Sequence, residues 1–153
     1  MLRNPLIIVD GDLCRFKYDF IADYFKSLYI INALNSKSCN SEFIKLIAKN
    51  AYGENEVMAS VSKYYSNKNV ILIENCKFII NSIKENISPL DVMSKNDVNF
   101  RAIAFLVKLN TESNNCGNSK EQFKILLTKL FDNDGVFKNL AIYGDQMALR
   151  GFI

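Results

Sequence analysis

The residues best suited by type to do chemistry stand near the start of the chain, where Leu6-Ile7-Ile8-Val9 runs into Asp10-Gly11-Asp12. A buried strand ending in two carboxylates can hold a hard divalent cation, which polarises an oxygen or activates a bound water. Little else in the sequence would serve such a centre. There is no histidine, which removes the side chain most used as a general base and a frequent metal ligand. The four cysteines, Cys14, Cys39, Cys76 and Cys116, are far apart, and no C-x-x-C pair points to zinc or a redox dithiol. They read as free thiols in a reducing compartment, and no cofactor is expected.

The elements that would position any site are those of a single folded domain. The chain has 153 residues, 49% of them hydrophobic and 23% charged, enough apolar material for a core. Net charge is only +3, and no run of five like charges occurs, so a clustered basic face for nucleic acid is not expected. No apolar run reaches the length of a membrane span, and Arg3, Pro5 and Asp10 interrupt the first apolar stretch where a signal peptide would lie.

Helical periodicity dominates. From Leu13 to Leu34, Phe16, Phe20, Tyr24, Leu28 and Ile31 recur at helical spacing, which predicts one long amphipathic helix. A polar turn over Asn35 to Ser41 separates it from a helix marked by Phe43, Ile44, Ile47, Ala48 and Ala51, with Gly53 as its stop. Val57, Met58, Val61, Tyr64 and Tyr65 outline the next. Val70 to Asn86 carries Leu72, Cys76, Ile79, Ile80 and Ile83 on one face, although its start, Val-Ile-Leu-Ile, also suits a strand. Ser88-Pro89-Leu90-Asp91 has the signs of a helix start. Val98 to Leu109 is apolar on nearly every side, as befits a helix surrounded by others. A loop is expected over Thr111 to Asn118. Ser119 to Gln122 matches a capping box, with Phe123, Leu126, Leu127 and Leu130 as the inner face of the helix that follows. These patterns predict an all-α bundle of seven or eight helices around one hydrophobic helix.

Asp97-Val98-Asn99-Phe100-Arg101-Ala102-Ile103-Ala104-Phe105 resembles the first homology motif of the Bcl-2 family, D-G-V-N-W-G-R-I-V-A-F, with Met93 and Lys95 on the Leu and Arg of the preceding E-L-F-R-D-G. Asp132 to Gly144, which ends in Leu140-Ala141-Ile142-Tyr143-Gly144, resembles the second motif, D-N-G-G-W-D-x-F-V-E-L-Y-G. The resemblance implies a Bcl-2-like bundle whose central helix begins at the first motif, and a hydrophobic groove that receives the amphipathic BH3 helix of a pro-apoptotic host protein. Groove contacts implied on this chain are Met58, Val61, Tyr65, Met93, Asn99, Phe100, Arg101, Ala102, Phe105 and Tyr143. The function implied is inhibition of apoptosis by sequestration, without catalysis. The setting implied is cytoplasmic, with peripheral visits to mitochondria through partners and a homodimer as an open option.

Two departures matter. The family's motif Arg, which pairs with the ligand Asp, falls on Ala102, while Arg101 stands one position earlier, about 100° around a helix. Binding is then expected to be weaker or restricted to ligands with good apolar anchors. The second motif lacks its tryptophan, and the connection over Asn35 to Ser41 is short, a compactness that resembles virally encoded members from iridoviruses or poxviruses. Three other readings stay open. One is a pro-apoptotic member of the same fold. Another is a Bcl-2-fold inhibitor of innate immune signalling that binds no BH3 helix. The third is a PIN-like or NYN-type nuclease using Asp10 and Asp12, which would need several more parallel strands, with Val70 to Ile73 the one further candidate.

Overall fold

A computed structural model describes residues 5–52, 55–85, 98–113 and 125. In chain order these form a strand β1 (Ile7–Asp10), a strand β2 (Leu13–Phe16) and helices α1 (Asp19–Asn35), α2 (Ser41–Lys49), α3 (Glu56–Tyr65), α4 (Asn69–Glu85) and α5 (Val98–Ser113). The helix expected over Pro89 to Lys95, the capping-box helix and the second motif lie outside the described residues.

The strands are antiparallel, with Ile7 opposite Phe16, Ile8 opposite Arg15, Val9 opposite Cys14 and Asp10 opposite Leu13. The ladder continues where the Lys17 N–H donates to the Leu6 carbonyl at 2.8 Å. Gly11 and Asp12 make the two-residue turn. Gly11 takes φ +60° at its first position, as a type II′ hairpin requires, and a Cβ there would meet nothing within 4 Å. The hairpin corrects two expectations. Leu6 to Val9 is not a buried strand, since Val9 is 71% exposed and Asp10 is exposed. The long helix begins at Asp19 rather than Leu13, because Leu13 to Phe16 pairs with β1.

Only the second half of α1 enters the bundle, burying Ser27, Ile30, Ile31, Ala33 and Leu34. Phe20 shares an azimuth with Ile31, eleven residues and about 20° away, yet is 70% exposed. Tyr24, Phe25 and Leu28 are exposed as well. The predicted apolar stripe is therefore partly an outer surface, and Phe25 stacks on Phe16 of the hairpin with ring centroids 5.5 Å apart. The helix ends in a Schellman motif, in which the Ser38 N–H donates to the Ala33 carbonyl and the Lys37 N–H to the Leu34 carbonyl, with Lys37 at φ +54°.

Asparagines start the next two helices. Asn40 Oδ1 accepts from the Phe43 N–H at 2.8 Å, and Asn55 Oδ1 accepts from the N–H groups of Val57 and Met58. Val70 to Ile73 lies in α4, which settles the strand alternative in favour of helix. The last helix runs on through Thr111 to Ser113, three residues into the expected loop.

α5 is the centre of the described core. Every residue from Ala102 to Val107 is buried, and so are Phe100, Leu109, Asn110 and Ser113. It packs against α2, α3 and α4, while α1 covers α3 and also meets α2 and α4. Phe43, Ile47, Val57, Met58, Val61, Leu72, Cys76, Ile79 and Ile80 close around it. A helix apolar all round is stable only when enclosed in this way. Among the described residues no helix is long and apolar enough to cross a membrane.

Candidate functional site

Three helix ends meet around a pocket of about 310 Å³ lined by Cys39, Asn40, Ser41, Ile44, Lys45, Ile83, Val98 and Asn99. Asn40 and Ser41 belong to the start of α2, Ile83 to the last turn of α4, and Val98 and Asn99 to the first turn of α5. Ile44, Ile83 and Val98 make the apolar wall. Cys39 is a half-buried free thiol, and burial pushes its pKa up, so at neutral pH it is an uncharged part of that wall. Asn40 is occupied as the cap of α2, leaving Ser41, Lys45 and Asn99 as the polar groups on the rim.

Of the ten predicted contact residues, only Asn99 lines this pocket. Arg101, two positions on, is rotated by about 200° and points elsewhere. Its guanidinium carbon lies 5.5 Å from the centroid of the Tyr52 ring, a cation–π arrangement, and its Nε is buried with no hydrogen-bond partner. Met58, Val61, Tyr65, Phe100, Ala102 and Phe105 are together, but as core: none is more than 1% exposed. They form the closed contact of α3 with α5 and its surroundings. Ala102, fully buried, leaves no space for the longer side chain that the resemblance would place there. Met93 and Tyr143 lie outside the described residues.

Sequence reasoning missed Cys39, Ile44, Lys45 and Ile83 as members of one site. Ile44 and Ile83 were legible as apolar helix positions, yet nothing in their spacing says that they face each other across an opening. Lys45 carried no signal beyond being a surface lysine on an amphipathic helix.

A second polar cluster lies deeper. The Tyr65 hydroxyl donates to Asn35 Oδ1, and the Asn75 amide also faces it. Tyr65 is fully buried and its pKa is pushed up by desolvation. Next to it Cys76, fully buried, is pushed up to about 12 by the same cause, partly offset by the Asn110 amide. Asn110 Nδ2 donates to the Leu106 carbonyl at 2.9 Å, and Asn110 Oδ1 is buried without a partner. These groups hold α1, α3, α4 and α5 in register and are closed to solvent.

Asp10 and Asp12 are exposed beside or within the hairpin turn. The strands among the described residues form this one antiparallel pair, and no group of three His, Cys, Asp or Glu there could hold a metal ion. No family model, no curated protein and no solved structure gives a significant match to the chain.

Proposed function

We propose that the protein is a non-enzymatic, Bcl-2-like inhibitor of apoptosis that sequesters the BH3 helix of a pro-apoptotic partner. The observation that carries this reading is the coincidence of the first motif with an apolar pocket: Asn99 lies on the pocket rim at the start of the enclosed helix α5. Apolar positions of the partner helix would enter between α2, α4 and α5, each Å² of buried apolar surface contributing about 25 cal/mol before ordering costs. A full-length groove would further require α3 to draw back from α5, because Met58, Val61 and Tyr65 are now packed there. That rearrangement would set a cost on binding and favour ligands with strong apolar anchors. The divergence of the motifs is in keeping with a virally encoded member acting in the host cytoplasm.

The test is calorimetric titration of the purified protein against BH3 peptides from the pro-apoptotic relatives. Submicromolar binding to one or more is expected. A folded, helical protein that binds none would sink the sequestering function.

One observation favours a second reading, a Bcl-2-fold inhibitor of innate immune signalling that works through another face. Phe20 and Tyr24 on α1 and Val9 and Leu13 on the hairpin are each more than half exposed. Such a surface is the kind that protein partners cover.

A further inference from the structure

The pocket at the start of α5 has a charge balance that narrows what can enter it. Lys45 is the single charged residue lining it, and no acid does. Its side chain is exposed and makes no ion pair with any described residue; the pairs formed there are Lys26 with Asp23 and Lys108 with Glu112. Two helices, α2 and α5, begin at the opening, so their N–H ends add partial positive charge, against the single carbonyl end of α4. Around this positive rim the wall is aliphatic, built from Ile44, Ile83 and Val98. At about 310 Å³ the space suits an anchoring side chain rather than a whole helix.

We propose that the pocket takes an aliphatic side chain of an amphipathic partner helix, and that Lys45 receives an aspartate or glutamate carried beside that anchor. The inference rests on the sequestering function above and adds the residue that reads the partner's charge. Arg101, engaged on Tyr52 on the other side of α5, does not reach the pocket. Lys45 is thus the specificity-determining cation, supplied by α2 instead of by the motif on α5. Being a point charge on a flexible stem, an ammonium tolerates several positions of the acid, where a guanidinium fork would demand one.

The experiment titrates the full chain and its Lys45→Glu and Lys45→Met variants with BH3 peptides, each also made with its central Asp changed to Ala or Lys. Circular dichroism first establishes that the variants keep the wild-type helix content, as expected for an exposed position. For a peptide that binds the wild type, Lys45→Glu is expected to weaken binding at least tenfold, and the Asp→Lys peptide to recover most of that loss. Lys45→Met should weaken binding about threefold to tenfold and flatten its dependence on salt. If peptides bind the wild type and Lys45→Glu stays within twofold of it, the role of Lys45 is overturned while sequestration stands. If no peptide binds the helical wild type, sequestration falls and this inference falls with it. Occupation of the pocket by a second copy, seen as self-association that Lys45→Glu abolishes while peptide affinity is unchanged, would also overturn it.

Discussion

The Tyr65 hydroxyl donates to Asn35 Oδ1, joining the last residue of α3 to the last residue of α1 across thirty positions of sequence. The ring is fully buried while Asn35 is exposed. Tyr65→Phe keeps the ring and removes the bond, and water can satisfy Asn35 in exchange. The expected loss is about 1 kcal/mol in urea denaturation, the usual net value of one hydrogen bond. A loss of less than a few tenths would mean that packing alone docks α3 on α1.

Lys37 occupies the left-handed position of the Schellman motif that ends α1, where glycine is the favoured residue. Lys37→Gly removes the Cβ conflict and should raise stability by about 0.5–1 kcal/mol. Lys37→Val should lower it by a comparable amount or more, because a β-branched residue fits that region poorly. Thermal melts of the two variants moving in opposite directions would verify the cap.

Stability should depend on alkaline pH through Cys76. The folded thiol titrates at about 12 and the unfolded one near the ordinary value of 9. Below pH 9 both states keep the proton and the full stability is present. As pH rises from 9 towards 12 the unfolded chain releases its proton while the folded chain holds it. Stability then falls, by up to about 1.4 kcal/mol per pH unit. Tyr65, also pushed up by burial, acts in the same direction above its ordinary value of 10. Urea midpoints at pH 8 and 9.5 should differ in the wild type and converge in Cys76→Ala, at whatever lower stability that variant has.

The two halves of α1 should respond differently to truncation. Phe20→Ser, at a position 70% exposed, should change stability by no more than about 0.5 kcal/mol, whereas Leu34→Ala, at a fully buried one, should cost about 2–5 kcal/mol. A comparable loss at both positions, measured by denaturant unfolding, would mean that Phe20 is packed in solution.

The sequence makes α5 legible because Val98 to Leu109 is apolar on all sides, and only enclosure stabilises such a helix in water. Starts of α2 and α3 could be placed within two residues because periodicity and polar turns agree there. The hairpin escaped because Leu13-Cys14-Arg15-Phe16 suits period 2 and period 3.6 equally. The discriminating signal was the Gly11-Asp12 pair, a two-residue turn between apolar runs. The outward aromatic half of α1 escaped for a different reason. Periodicity identifies an apolar stripe but not how far along the helix the neighbours extend, so Phe20 and Ile31 look alike in sequence. Of the site, Asn99 was legible from its motif. Lys45 and Ile83 were not, because only the packing of α2 and α4 on α5 brings them to one opening.

The position of α5 also bears on how the chain is made. Residues 98–113 supply the hydrophobic axis around which α2, α3 and α4 close, and they leave the ribosome after all three. Until then the inner faces carrying Phe43, Met58, Val61, Leu72 and Ile79 have no axis to bury against. These contacts are long-range in sequence, so loop closure precedes their reward. A nascent chain stopped before residue 98 is a set of amphipathic helices with open apolar sides, and it is at this length of synthesis that a chaperone would have most to hold.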